Sequence, residues 1–199
     1  MPSDGTDPTI LSFDTSAAHC AAALLRGGQI VAQRVEELGR GQAERLIPLL
    51  EELLTEACTE WKDLDAIAVG IGPGNFTGIR ISVSAARGLA MALDIPAIGV
   101  SLLDTTQFLS GQAQTAVPAP RGQFYLMDFD TQAAPVIAPG LPRDASLALS
   151  TEHSAADHVA MMARLAAQRL DKPAPSPAPL YVRPADAAPS RDLPPPLLD

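Results

Sequence analysis

Residues 66–94, AIAVGIGPGNFTGIRISVSAARGLAMALD, join an apolar run, a glycine-rich turn and a long segment of small residues, and this stretch limits the folds open to the chain. Ala66 to Ile71 is short and continuously apolar, with β-branched Ile67, Val69 and Ile71, the pattern of a strand buried on both faces of a sheet. Pro73 has no N–H to give a ladder, and Gly72 and Gly74 beside it can take φ > 0, so the chain turns sharply out of the sheet. Asn75 supplies the side-chain oxygen of an N-cap, and no proline interrupts residues 76–95. The prediction is a strand, a tight turn and a long helix, in that order.

Taken every four residues, that helix shows Gly78, Ser82, Ala86 and Ala90, a flat stripe on which a helix or a sheet backbone can lie close. Ile81, Ala85, Leu89 and Leu93 form an apolar row beside it, and Arg80, Ser84 and Arg87 fall on a third stripe. A phosphate loop fits poorly. Walker A needs a lysine after its last glycine, where this chain has Ile79-Arg80, and the dinucleotide fingerprint needs its third glycine one residue before Gly78. The plain physical reading is a close-packed strand-to-helix turn.

Upstream, Thr9 to Phe13 reads as a strand ending in the polar turn Asp14-Thr15-Ser16. Cys20 to Leu25 and Gln29 to Leu38 read as two more strands, joined at Arg26-Gly27-Gly28. Pro48 belongs in the first turn of a helix or bends it, so the regular part of the first helix is expected from about Leu46 to Cys58. Its apolar arc of Leu46, Ile47, Leu49, Leu50, Leu53, Leu54 and Ala57 is broader than one sheet contact requires, while Glu51, Glu52 and Glu56 face away. Two explanations stay open: a partner surface, or cover from a C-terminal lobe. Downstream, Ala97 to Val100 is a strand and Ser101 caps a helix through Leu109. The order β-β-β-α-β-α-β-α predicts a mixed sheet with helical crossovers.

Beyond Gly111 the pattern weakens. Ala119 to Asp128 is strand-like, 131–149 is loop-like, and Ser154 with Asp157 makes a capping box for a helix to Leu170. Nine of residues 173–199 are prolines, which predicts an extended segment and a disordered end.

The 199 residues, 47% of them hydrophobic, suffice for one domain or two small lobes. A net charge of −9 without a Lys/Arg cluster disfavours direct grip on a phosphate backbone. No apolar run is long enough to span a membrane and no secretory signal pattern opens the chain, so a cytoplasmic protein with no membrane contact is expected. Cys20 and Cys58 lack C-x-x-C spacing and sit among apolar residues, which predicts buried free thiols.

The string GIGPGNFTGIRISVSAARGLA closely resembles the G-x-GPGSFTG-[LV]-RIG…A-x-GLA signature of the TsaB (YeaZ) family, with Asn75 where the family usually has serine. ILSFDTS at the first strand, ERLIPLL in the first helix and IPAIGVSLLD after the second also resemble it, whereas Gln42-Ala43 replaces the His-Ser or His-Thr pair of many relatives. The match is specific over residues 9–108. Later, APRGQFYLMD and PLYVRPADA resemble the family's D-A-R-x-G-E-V-Y and final P-x-Y-[LV]-R strands loosely.

The resemblance implies an α/β actin-like (ASKHA, ribonuclease H-like) fold. On that reading, residues 1–8 are a leader, 9–110 an N-terminal lobe, 111–187 a reduced C-terminal lobe and 188–199 a proline-rich tail. It further implies a non-catalytic scaffold subunit that pairs with and activates a TsaD-type threonylcarbamoyltransferase, making threonylcarbamoyladenosine next to the tRNA anticodon. A TsaE-like ATPase completes the set, tRNA is held mainly through the partner, and the chain alone can form a homodimer. ATP and metal belong to the partner subunits, so neither a cofactor nor a metal is expected in this chain. The surplus surfaces of the two helices nominate Leu46, Ile47, Leu50, Phe76, Gly78, Ile79, Ser82 and Ala86 as the partner interface, with Gly72, Pro73, Gly74 and Asn75 as turn and cap.

The alternative is a small ATP-dependent kinase or phosphatase of the same fold, using Asp14 and the Gly72–Gly74 turn. Against it, Asp14 is followed by Thr15-Ser16-Ala17 rather than glycines, and no paired-glycine adenosine motif appears after residue 111. The histidines are His19, His153 and His158; the last two would stand about 140° apart on a helix. H-x-x-x-H, which the TsaD family uses, and G-x-S-x-G are both missing.

Overall fold

The computed structural model describes residues 8–131, 133–142, 146–172 and 175–182. The first strands form as their patterns require: β1 (Ile10–Asp14), β2 (His19–Arg26) and β3 (Gln29–Glu37) are an antiparallel meander, with Gly27 and Gly28 both at positive φ in the β2–β3 turn. After α1 (Gln42–Glu56), β4 (Ala66–Gly70) pairs parallel to β1. After α2 (Phe76–Leu93), β5 (Ala97–Val100) pairs parallel to β4, giving the order β3-β2-β1-β4-β5. Three meandering strands followed by two crossover units make a mixed α/β sheet, as the element order predicts.

Alternation along the strands assigns the two faces. Leu11, Phe13, Leu24, Ile67 and Val69 meet α1 and α2 on one side. Ile10, Ala21, Ala23, Ala66 and Ala68 meet α4 (Ala155–Arg169) on the other. The alanines make that second face shallow, so α4 settles close enough for Ser12 Oγ to donate to the Val159 carbonyl at 2.7 Å. A helix from the C-terminal part of the chain therefore completes the first sheet.

The second sheet has the order β8-β7-β6-β9, from β6 (Gln114–Ala119), β7 (Gln123–Asp128), β8 (Val136–Ala138) and β9 (Leu147–Leu149), with α3 (Leu102–Ser110) packed on β6 and β9. β6, β8 and β9 correct the sequence reading, which found one strand here and a loop over 131–149. β8 and β9 are three residues each, too short to show alternation. β6 contains Pro118, which lies beyond Gln114–Ala116, the stretch that pairs with β9, so its missing N–H interrupts no bond there.

Other expectations need correcting. α1 begins at Gln42, four residues before the expected Leu46, and ends at Glu56; Pro48 lies inside it on the exposed side. Cys20 is buried, and burial with nearby Glu36 pushes its thiol up to about 11, but Cys58 is exposed, at φ 49 just after α1. Residues 1–7 of the expected leader (1–8), Arg183 to Ala187 of the expected final strand, and the tail (188–199) lie outside the described residues; 179–182 carry no regular strand.

Candidate functional site

The glycine turn is held by the turn after β1. Asn75 N donates to the Ser16 carbonyl at 2.6 Å, and Thr15 Oγ1 donates to the Gly78 carbonyl at 2.7 Å. Each glycine here answers to a neighbour. A Cβ on Gly74 would lie 2.5 Å from Ser16 O, one on Gly78 1.9 Å from Thr15 O, and Gly72 has φ +94 with Ile79 against it. Asn75 caps α2 by accepting from Gly78 N at 2.9 Å, and Ser82 Oγ reaches the Gly70 carbonyl at 3.2 Å. The flat stripe is thus used inside the chain.

The residues nominated for the partner interface differ in exposure within the single chain. Leu46, Leu50, Gly78, Ile79, Ser82 and Ala86 are buried against the chain's own sheet and loops, and only Ile47 (half-buried) and Phe76 (exposed) reach the surface. The broad arc of α1 is absorbed by β2, β3 and α2. Neither a partner nor the C-terminal lobe is needed to cover it.

What α2 presents outward is its third stripe: Arg80, Ser84 and Arg87 are exposed, with Gly88 and Met91 alongside. At its N-terminal end sits a feature that helix periodicity could not show. The Arg80 guanidinium lies 3.8 Å from the Phe76 ring centroid and donates through Nε to Tyr181 Oη at 2.9 Å, while the Phe76 and Tyr181 rings are 5.1 Å apart. Both aromatics are 45% exposed. The segment carrying Tyr181 is tied down by Leu180 N donating to the Ile71 carbonyl at 2.8 Å.

A cleft of about 620 Å³ opens between the sheets, beside the glycine turn, and brings together residues that are remote in sequence. Asp14 Oδ2 accepts from Ser16 N at 3.0 Å, Ser16 Oγ at 2.8 Å and His19 Nε2 at 3.1 Å. Its Oδ1 is buried, has no hydrogen-bond partner among the described residues, and packs over Gly70, where a Cβ would lie 2.0 Å away. Asp14 is therefore the organiser of its own turn. Ser16 donates to this carboxylate rather than to an imidazole, so it does not form the serine–histidine pair of a hydrolytic triad.

His153 and His158 also line the cleft, and here the helical argument about them fails. His153 precedes α4, and the two rings meet edge-on with centroids 6.0 Å apart. His158 Nε2 donates to the Ser150 carbonyl at 2.9 Å, leaving Nδ1 to accept from Thr105 Oγ1 at 2.8 Å. Among the described residues, no cluster of three His, Cys, Asp or Glu is placed to hold a metal ion. The described lining contains Asp14 and Glu37 but no Lys or Arg.

Half-buried His19 and buried His158 respond to pH with opposite sign. For His19 burial alone lowers the pKa, but the Asp14 hydrogen bond and charge, with Glu37 behind, outweigh it, and the net shift is upward from 6.5. The folded state holds this proton more tightly, so the pair's stabilisation is full below 6.5 and is lost as pH rises through the folded value. Burial moves His158 down, so its neutral form stabilises the fold above 6.5 and that contribution fades as pH falls. His19→Gln is therefore expected to lower the melting temperature more at about pH 5.5 than at about pH 8. Thermal unfolding at both pH values checks this; an equal loss would show that the His19–Asp14 charge pair contributes nothing.

Comparison with known proteins places this arrangement. The family model for TsaD, tRNA N6-adenosine threonylcarbamoyltransferase, matches residues 35–136, which include the glycine turn and α2. The chain is 41% identical over 96 residues to the tRNA threonylcarbamoyladenosine biosynthesis protein TsaB of Escherichia coli, covering 48% of this chain and 41% of that protein. With TsaB of Bacillus subtilis the identity is 37% over 121 residues, 59% of this chain and 53% of that one. The solved structure of YeaZ from Pseudomonas aeruginosa superposes with a TM-score of 0.70 at 26% identity, over 87% of this chain and 99% of that one. The chain belongs to the TsaB (YeaZ) family. It spans about half the length of the curated TsaB proteins it matches. An uncharacterized protein of Mycobacterium tuberculosis matches over 91% of this chain and 94% of its own length, at 34% identity. The TsaB signature is seen here to consist of packing constraints: Gly74 and Gly78 admit the β1 turn, Gly72 takes its positive φ, and Asn75 caps α2. Among the described residues, no helix is long and apolar enough to cross a membrane.

Proposed function

We propose that this chain is a non-catalytic scaffold subunit that pairs with a TsaD-like threonylcarbamoyltransferase and activates it for threonylcarbamoyladenosine formation in tRNA. The observation that carries this reading is the near-complete superposition on YeaZ, together with the role of the related TsaB proteins in threonylcarbamoyladenosine biosynthesis. The chain's own chemistry agrees with it. Asp14 is engaged in its own turn, and a nucleotide's phosphates in the cleft would face Asp14 and Glu37 with no Lys or Arg in the described lining to meet them. ATP, metal and the grip on tRNA then fall to the TsaD-like and TsaE-like subunits.

With the small-residue stripe internal, the partner surface is assigned to the outward face of α2: Phe76, Arg80, Ser84 and Arg87, with Tyr181 beside it. The same face serves a second copy of the chain when the partner is absent. The test is nucleoside mass spectrometry of bulk tRNA after depleting the protein in its own cells and restoring wild type or Arg80→Glu. Depletion is expected to remove threonylcarbamoyladenosine, with rescue by wild type and not by the variant. Arg80→Glu should weaken purified complex formation about tenfold or more, by reversing a charge in the contact. The same change costs the free chain only about 1 kcal/mol, the worth of an exposed cation–π contact. An unchanged modification level after depletion overturns the pathway; rescue by Arg80→Glu overturns the surface alone.

A further inference from the structure

We propose that the groove between the C-terminal ends of α2 and α4 is an anion site for a phosphate ester, a property beyond the role proposed above that shares Arg87 with the outward face of α2. A cavity of about 590 Å³ lies there, a size suited to a small-molecule ligand. Arg87, Arg169 and Lys172 line it with a single described acid, Asp94. In a chain of 23 acidic and 14 basic residues, that local balance runs against the whole.

The cations are not all accounted for by the fold. Arg169 is fixed, with Nη2 3.2 Å from Asp104 Oδ2 and Nη1 3.4 Å from the Gly99 carbonyl. It stands in the last turn of α4, where a cation offsets the negative end of the helix dipole. Arg87 and Lys172 have no ion pair or hydrogen-bonded side-chain partner among the described residues. Arg87 lies six residues before the end of α2 at Leu93, outside the last turn, so the dipole does not explain it. Exposed Met91 and half-buried Leu170 give the same cavity an apolar wall. A guanidinium fork and an ammonium beside an apolar wall suit a phosphate joined to an organic group. The ester can belong to a free nucleotide or to the phosphodiester backbone of a nucleic acid.

The test titrates the full chain at low ionic strength with ADP, and separately with a single-stranded oligonucleotide of mixed sequence. Binding of one of them is expected, weakened at least tenfold in Arg87→Gln/Lys172→Gln and unchanged in Arg121→Gln, an exposed cation on the second sheet. ADP binding with that dependence identifies a free nucleotide as the source; oligonucleotide binding alone identifies the backbone. Amide chemical-shift changes in the wild type, expected at Gly88, Met91, Asp94 and Lys172, give a readout that does not depend on the variants. No binding of either probe, equal binding by the double variant, or shifts confined to other residues overturns the site.

Discussion

Gly78→Ala is expected to destabilise the chain by about 3 kcal/mol, the upper end of ordinary overpacking costs. The added methyl would lie 1.9 Å from the Thr15 carbonyl oxygen and 2.9 Å from its carbon, both backbone atoms with no rotamer to escape through. The neighbouring bonds, Thr15 Oγ1 to the Gly78 carbonyl and Asn75 N to the Ser16 carbonyl, hold the same two segments together, so either α2 or the β1 turn must move. The control is Gly88→Ala on the same helix. Nothing lies within 4 Å of a Cβ there, and glycine in a helix interior costs about 0.5–1 kcal/mol relative to alanine, so this variant should gain roughly that much. Denaturant unfolding of both variants measures the contrast. A Gly78→Ala protein as stable as wild type would show that the clasp is looser than described. The same geometry makes Gly78→Leu unsuitable as an interface probe, since it would disrupt the fold before it could report on a partner.

Leu50→Ala should cost about 3 kcal/mol, within the range for deleting a fully buried leucine side chain. Leu50 has 0% exposure and sits in the cluster with Leu46, Leu53, Phe13 and Ile67, so truncation leaves a cavity between α1 and the sheet. The outcome separates two accounts of α1. If its apolar arc is core, stability falls by this amount, and complex formation is affected only through loss of folded protein. If Leu50 instead contacted a partner, stability would hold and affinity would fall. Chemical denaturation together with binding to a TsaD-like protein distinguishes them.

Much of the first sheet was legible because its signals are local. Val69 and Ile71 in an apolar run, Gly27-Gly28 between alternating strands, Asn75 before the small-residue helix and Ser154 with Asp157 each specify a conformation within a few residues. The second sheet was less legible. Its strands β8 and β9 are too short to show a period, and Pro118 inside β6 reads as a breaker until the pairing of β9 is known to stop at Ala116. The candidate site divides in the same way. The Gly72–Asn75 turn could be read directly, but periodicity shows only that residues share a face, not which neighbour that face meets. The stripe of Gly78, Ser82 and Ala86 was therefore open to a partner or to the chain itself.

By itself, then, the sequence determined the element order of the first sheet, the cap and turn at Asn75, and the family, because local backbone preferences and a contiguous motif carry those. Only the tertiary structure decided that the glycine stripe is spent on the Thr15–Ser16 turn, that Arg80 stacks on Phe76 and bonds to Tyr181, and that Asp14, His19, His153 and His158 share one cleft. The Arg80–Tyr181 contact alone joins residues 101 positions apart. Their partners are chosen by how α2, α4 and the second sheet pack, and no local pattern records that choice.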